Sequence, residues 1–327
     1  MLVGNWRLPP LFIGHSFQWN ILKKMAENDR VPHALLFSGQ EKIGKKKVAF
    51  EYVKLLNCES KEIAVRPCNV CLACKLVASK KHPDIFFLEQ GKEEIKIDQI
   101  RDLQKWLILK PQLANRKMVI LDEAHLLNVE AANCFLKTLE EPTGQSIFIL
   151  ITSHPDVLLP TIRSRVSNIK FFPVAKSEMI KIFSDSDNSI LRDKILTISL
   201  GRPGAALNFL QNSDKLDDFL LWQTIVKQII DGELFDRLAI VKKFFDKNKE
   251  FSSTAFLRHF LIFCRERLLY KIGVVNVGQN GQKDDMLSKS SVESIKQMLE
   301  RGQETLSIIN TTNVSPRLAI ENLLINI

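Results

Sequence analysis

A short apolar run that ends in two acidic residues constrains the fold of this chain more than any other feature. Residues 118–121 are all apolar, which is typical of a strand buried on both faces of a parallel sheet. Asp122 and Glu123 follow at the carboxyl end of that strand, at the sheet edge where open α/β folds bind their ligands. An aspartate there can hold Mg²⁺, and a glutamate can orient a water molecule. The run therefore predicts an α/β fold with a ligand site at this edge.

A glycine-rich segment upstream supports the same interpretation. Residues 34–37 predict a short buried strand, and Gly39, Gly44 and Lys45 after it have the G-x-x-x-x-G-K spacing of a P-loop. In that loop the backbone N–H groups surround phosphates, and the lysine reaches the terminal ones. A helix predicted over residues 48–56 would direct its positive N-terminus toward the same anion. The pattern predicts a nucleotide site, in which the acidic pair after the buried strand is the Walker B element.

One position of this P-loop departs from the pattern. After Lys45 a serine or threonine normally ligates Mg²⁺, whereas this chain has Lys46. The change removes a metal ligand and adds a positive charge, so ATP hydrolysis with Mg²⁺ is not expected, while nucleotide binding is left open. Thr152 ends an apolar strand predicted over residues 146–152, and it is expected at the same sheet edge as Asp122. It could contact a γ-phosphate there, or it could simply end the strand.

Four cysteines predict a metal site. Cys58, Cys68, Cys71 and Cys74 contain two overlapping C-x₂-C spacings and a fourth thiol upstream. Four thiolates are the ligand set of a tetrahedral structural zinc site, and disulfides are rare in the cytoplasm. The alternatives are unpaired reduced thiols and an iron–sulfur cluster, for which no neighbouring residue indicates redox chemistry. We therefore expect a structural Zn²⁺ ion.

Composition places few limits on function. The chain has 327 residues with a net charge of +9, which permits contact with nucleic acid without requiring it. No apolar run is long enough to span a membrane, so no membrane partner is expected. The first ten residues lack the basic and apolar regions of a secretory signal, which predicts a cytoplasmic protein.

Strand and helix patterns divide the chain into three predicted domains. Strands alternate with helices over residues 34–172, which predicts a parallel α/β sheet in a domain covering residues 1–173, with the cysteine module at 58–74. Residues 174–212 predict a small helical lid, and residues 213–327 an all-α collar. Within the collar, a Gly-, Asn- and Lys-rich stretch at 272–289 predicts an exposed loop.

Four segments resemble the clamp-loader branch of the AAA+ ATPases and, within it, the delta-prime family of bacterial DNA polymerase III. They are residues 33–39, the four-cysteine insert, residues 131–142 with the string Leu-Lys-Thr-Leu-Glu-Glu-Pro, and residues 158–165 with the string Ser-Arg. The resemblance covers most of 14–172, and the collar matches only in length and helical character. It implies an AAA+ domain with a zinc-binding insert, followed by a helical lid and a helical collar.

The resemblance also implies a function. Clamp loaders are hetero-pentamers, here with subunits of the gamma/tau and delta types, that open a sliding clamp and close it around primed DNA. The chain would be a non-hydrolysing stator with no polymerase chemistry of its own. Arg165 would be an arginine finger for the ATP of a neighbouring subunit, followed by Val166 where the family usually has cysteine. Contacts with DNA would be to phosphates and independent of sequence.

The sequence is compatible with other interpretations. An ATP-hydrolysing clamp-loader subunit of the gamma/tau type fits the intact Asp122 and Glu123, although Lys46 and the misplaced Arg202 favour a non-hydrolysing subunit. A helicase would need a second RecA-like domain, which the helical pattern of residues 174–327 does not provide. A free-standing zinc-dependent DNA-binding module would need a recognition helix, and none is evident.

Overall fold

The computed structural model describes residues 12–89, 91, 93–142, 144–183, 189–247, 252–273 and 291–326. The chain divides into two compact units between Leu207 and Asn208. The predicted lid at 174–212 and its boundary with the collar stay predictions. Most of the loop predicted at 272–289 lies outside the described residues.

The first unit is built on one parallel sheet. Its strands are β1 (Ala34–Ser38), β2 (Ile85–Leu88), β3 (Lys117–Leu121), β4 (Ser146–Thr152) and β5 (Ser167–Lys170). They are arranged in the order β2-β3-β4-β1-β5, and each described pairing is parallel. The predicted α/β fold is confirmed. Because β4 lies between β1 and β3, the segments that follow these three strands meet at one edge.

The first unit also contains helices. They are α1 (Ser16–Glu27), α2 (Lys45–Asn57), α3 (Leu72–Ala78), α4 (Ile97–Ile108), α5 (Val129–Glu140), α6 (Pro160–Arg163), α7 (Lys176–Met179), α8 (Ser189–Ser199) and α9 (Pro203–Gln211), of which the last contains the division between the units. Two apolar clusters separate helices from strands. Leu35 and Phe37 of β1 belong to one cluster with Tyr52 of α2, and Leu36 belongs to the other with Phe135 of α5. Alternate residues of β1 thus face opposite cores, which is why the strand is apolar throughout.

The described part of the second unit is helical. It contains α10 (Ser213–Asp231), α11 (Leu234–Lys247), α12 (Ser253–Lys271), α13 (Val292–Thr311) and α14 (Pro316–Ile325). Its core includes Val226, Phe256, Phe260, Ile295 and Leu324, each at most 1% exposed. Among the described residues of the whole chain, no helix has the length and apolar character needed to cross a membrane.

Candidate functional site

The P-loop segment forms a strand, a tight loop and a helix. Two of its glycines have positive φ, 150° at Gly39 and 111° at Gly44, and Gly44 precedes the first residue of α2. A Cβ atom at Gly39 would lie 2.5 Å from the backbone oxygen of Phe171, so that position has no room for a side chain. The first turn of α2 therefore begins directly above the loop, with its free N–H groups at the carboxyl edge of the sheet.

Lys45 is buried in this loop, with 5% of its surface exposed. Its Nζ donates hydrogen bonds to the carbonyl oxygens of Gly39 at 2.6 Å and Gln40 at 2.7 Å. Burial lowers the pKa of Lys45, although the charges of Glu123 and Asp122 act in the opposite direction. The ammonium is thus held against neutral carbonyls inside the loop.

Lys46 is bound to Asp122, the predicted Walker B aspartate. Its Nζ lies 2.8 Å from Oδ2 of Asp122 and 3.3 Å from Oε2 of Glu89, a residue that also binds Lys80 at 2.7 Å. Burial opposes the charge of Lys46, but the hydrogen bond and charge of Asp122 outweigh it and raise its pKa. The sequence interpretation did not include Glu89. The sequence feature that could have indicated Glu89 is its position directly after β2, the apolar strand that pairs with β3.

Glu123 and Thr152 lie at the same edge of the sheet. Oε2 of Glu123 is 3.4 Å from the hydroxyl of Ser153 and 3.4 Å from Nδ1 of His125. Burial and the charge of Asp122 raise the pKa of Glu123. The hydroxyl of Thr152 is 3.2 Å from the same His125 nitrogen and accepts a hydrogen bond from the N–H of His154. Thr152 is fully buried, and its contact with a γ-phosphate stays a prediction.

A cavity of ≈ 580 Å³ lies between the P-loop and the acidic pair. Its charged lining consists of five lysines and three carboxylates: Lys42, Lys45, Lys46, Lys47, Lys54, Glu51, Asp122 and Glu123. One wall is Gly204 at the start of α9, whose N–H donates to the carbonyl oxygen of Lys42 at 2.8 Å. The cavity therefore has a positive lining in the place where the sequence predicts a nucleotide.

The four cysteines form a compact cluster. The sulfur atoms of Cys58, Cys68, Cys71 and Cys74 lie within 4.8 Å of one another, and this group could hold a metal ion. Backbone N–H groups of the last three each donate to the sulfur of the preceding cysteine at 3.4 Å. Burial opposes a thiolate at Cys68, but the N–H groups of Cys71 and Val70 outweigh it and lower its pKa to about 6. A set of thiols with N–H donors directed at sulfur suits a thiolate-bound cation.

Arg165 lies just after α6. Its Nη2 is 2.7 Å from Oε1 of Glu140, and its Nη1 donates to the carbonyl oxygen of Thr161 at 3.0 Å. The side chain is 38% exposed. The described residues that line the P-loop cavity do not include Arg165. Its guanidinium is therefore presented at the surface rather than to the P-loop cavity of its own chain.

Comparison with known proteins agrees with this geometry. Residues 14–175 match the family described as DNA polymerase III, delta subunit. The DNA polymerase III subunit delta' of Pseudomonas aeruginosa is 43% identical over 135 residues, 41% of each chain. Residues 14–175 belong to the delta-prime family of DNA polymerase III subunits. The delta' subunit of Bacillus subtilis is 35% identical over 154 residues, 47% of this chain and 46% of that one. This match and the described strand order agree with the AAA+ fold that the sequence predicts for the first unit.

The matches do not extend over whole relatives. DNA polymerase III subunit tau of Bacillus subtilis is 26% identical over 326 residues, which are 92% of this chain but 57% of that protein. The chain spans between 41% and 57% of the length of these three curated relatives. Among solved structures, a gamma subunit-related protein of Thermotoga maritima is 20% identical, with a TM-score of 0.47, over 94% of this chain and 98% of that one.

Proposed function

We propose that the chain is a clamp-loader subunit of the delta-prime type that does not hydrolyse ATP. The observation that carries the proposal is the 2.8 Å ion pair between Lys46 and the Walker B residue Asp122. Membership in the delta-prime family supports the clamp-loader role. In this role the chain works in the cytoplasm with gamma/tau and delta subunits, a sliding clamp and primed DNA, whose phosphates it contacts.

The ion pair opposes hydrolysis for two reasons. Mg²⁺ in a P-loop site is held by the hydroxyl after the P-loop lysine and by the Walker B aspartate. Here Lys46 replaces the hydroxyl ligand. Its ammonium also binds an oxygen of Asp122, which is the other ligand. Mg²⁺ requires a nearly ideal octahedral set of oxygen atoms, so the loss of both contacts removes the metal that activates the γ-phosphate.

Nucleotide hydrolysis by the purified full chain tests the proposal. We expect no turnover of ATP with Mg²⁺, whether or not primed DNA is present. Turnover that disappears in Glu123→Gln would contradict it, because that glutamate would then be orienting water in a working site. The chain would instead be a motor subunit of the gamma/tau type, a candidate supported by the intact Asp122 and Glu123 and by the tau match over 92% of the chain.

We further propose that Arg165 acts on the ATP of a neighbouring subunit. Support comes from its partly exposed guanidinium and from its absence among the described cavity residues. In a reconstituted loader, Arg165→Ala should reduce clamp loading at least tenfold, since an arginine finger contributes on the order of 10³ or more to its own site. Arg165→Lys should not restore it.

Arg163→Ala provides the matched control. This arginine is also exposed and lies 3.4 Å from Asp156. Its removal should leave loading unchanged, and gel filtration should show that all variants assemble. Equal losses in both arginine variants, or normal loading by Arg165→Ala, would refute the arginine-finger assignment.

Finally, we propose that the four-cysteine group holds one structural Zn²⁺ ion. Four thiolates complete a tetrahedral zinc site and leave no open position for catalysis. Metal analysis of the purified chain should give about one zinc per chain, and Cys74→Ser should reduce that content. Iron in place of zinc, with visible absorption from an iron–sulfur cluster, would overturn the identity of the metal.

A further inference from the structure

We propose that the P-loop cavity binds a polyphosphate chain in its metal-free form, with the ammonium of Lys46 at Asp122 in the place that Mg²⁺ takes in hydrolysing P-loop sites. The inference rests on the non-hydrolysing site proposed above and adds a ligand to it. The group recognised is a chain of linked phosphates, which a nucleoside triphosphate and inorganic triphosphate both contain.

The first support is the state of Lys45. This ammonium is 95% buried, and its hydrogen-bond partners in the described structure are the carbonyl oxygens of Gly39 and Gln40. Among the described residues, no carboxylate forms an ion pair with it. The carboxylates of Glu123 and Asp122 act on this ammonium without a direct contact, so the groups that touch it are neutral. A phosphate placed above the loop would supply a negative charge in direct contact and would also accept hydrogen bonds from the first N–H groups of α2.

The second support is the fixed position of Lys46. Two carboxylates hold its Nζ, Asp122 at 2.8 Å and Glu89 at 3.3 Å, and Lys80 holds Glu89 from the other side at 2.7 Å. The ammonium thus lies against the aspartate that would otherwise bind the metal. To enter, Mg²⁺ would have to displace Lys46 from Asp122 without a hydroxyl ligand at position 46. The metal therefore competes with the protein at this point rather than assisting it.

The third support is the charge of the cavity. Five lysines and three carboxylates line it, and two of the lysines are paired, Lys54 with Glu51 at 2.7 Å and Lys46 with Asp122 at 2.8 Å. The other charged lining residues are Lys42, Lys45, Lys47 and Glu123, so the lining keeps a net positive charge. A triphosphate without Mg²⁺ carries more negative charge than its magnesium complex. The cationic lining consequently favours the metal-free form.

Calorimetric titration of the full chain tests this inference. ATP and inorganic triphosphate are each titrated in EDTA and in excess Mg²⁺. We expect binding in EDTA and at least tenfold weaker binding in Mg²⁺. Binding of both compounds means that the phosphate chain is recognised. Binding of ATP alone means that the site recognises the nucleoside as well. Either result supports the inference.

Two variants make the test specific. In Lys46→Thr, Asp122 is released and a hydroxyl is restored, so the preference should reverse and Mg²⁺ should strengthen ATP binding at least tenfold. In Asp122→Asn, which keeps Lys46, binding in EDTA should persist. Lys105→Thr is the matched control, because this exposed lysine pairs with Asp102 at 2.9 Å on the surface of α4. It should behave as the unmodified chain.

Failure of this inference can be distinguished from failure of the proposed function. Absence of binding for both compounds in EDTA overturns the inference and leaves a non-hydrolysing stator in place. Binding that requires Mg²⁺, without turnover, likewise overturns the inference alone. Binding that requires Mg²⁺ together with ATP turnover overturns the inference and the proposed function.

Discussion

At the scale of single residues, one buried carboxylate connects two segments of the first unit. Asp84 precedes β2 and is 1% exposed. Its oxygens accept hydrogen bonds at 2.7 Å from the N–H groups of Gln112, Leu113 and Ala114, in the segment that leads to β3. Burial opposes ionisation, but these three donors outweigh it and hold the pKa of Asp84 below its ordinary value. The carboxylate therefore fixes the loop before the Walker B strand.

Asp84→Asn should destabilise the first unit by about 3 kcal/mol, because an amide cannot accept all three hydrogen bonds and a charged acceptor is lost. Hydrogen exchange at the amides of β3 measures the loss. The contribution of Asp84 should be complete above the unfolded pKa of about 3.9 and should disappear as the pH falls through the lower folded pKa. The difference between the two proteins should therefore shrink in acid.

Asp98→Asn is the control for this prediction. Asp98 is 81% exposed and lies 3.4 Å from Arg101 on the surface of α4. Its replacement should change stability by less than about 0.5 kcal/mol. An equal effect of both substitutions, or a difference that grows in acid, would disprove the role assigned to Asp84.

At the scale of elements, helix α2 connects the P-loop to the cysteine cluster. It begins at Lys45 and ends beside Cys58. Near its end, Lys54 pairs with Glu51 at 2.7 Å while both side chains are at least 95% buried. The Nζ of Lys54 also donates to Oδ1 of Asn69 at 2.6 Å, in the loop that carries three of the cysteines. A single buried ammonium thus holds the cysteine loop against the P-loop helix.

Lys54→Met should cost about 3–5 kcal/mol, because it leaves Glu51 charged, buried and unpaired. The double variant with Glu51→Leu should recover most of that loss, since an apolar pair needs no counter-charge. Urea unfolding measures both, and Lys105→Met, on an exposed lysine, should have little effect. A double variant as unstable as the single one would show that the charge of Glu51 is not the cause.

At the scale of the whole molecule, each unit has its own apolar core. Phe148 of β4 belongs to the core of the first unit, and Phe260 of α12 belongs to that of the second; both are fully buried. The core of the first unit consists of residues from strands and their covering helices, whereas the described core of the second comes from helices alone. Each cluster should therefore stabilise the unit that contains it.

Phe260→Ala should destabilise the second unit by about 3–5 kcal/mol through the cavity it leaves. Hydrogen exchange should become faster in α12 and α13, while β3 and the metal content stay unchanged. Phe148→Ala is the reciprocal experiment and should accelerate exchange in β3. Equal acceleration in both units by either variant would contradict this division of the core.

The sequence by itself determined the local patterns. The apolar run at 118–121 predicted a strand buried on both faces, because such a strand contacts a core on each side. The spacing of Gly39, Gly44 and Lys45 predicted a loop between a strand and a helix, since the glycines permit the tight turn and the lysine reaches a phosphate above it. The cysteine spacing predicted a cluster of four thiols. These features depend on residues close together in the chain, so their pattern is visible without the fold.

Only the tertiary structure decided which distant residues meet. The strand order brings Asp122, at the end of β3, to the start of α2, where Lys46 binds it. It also places Thr152 beside His125, whose ring nitrogen forms a hydrogen bond with the threonine hydroxyl. Nothing in the local sequence reports such pairs, because they arise from the packing of strands that are far apart in the chain. The sequence therefore predicted the residue types of the site, whereas the strand order of the sheet determined that Lys46 pairs with Asp122.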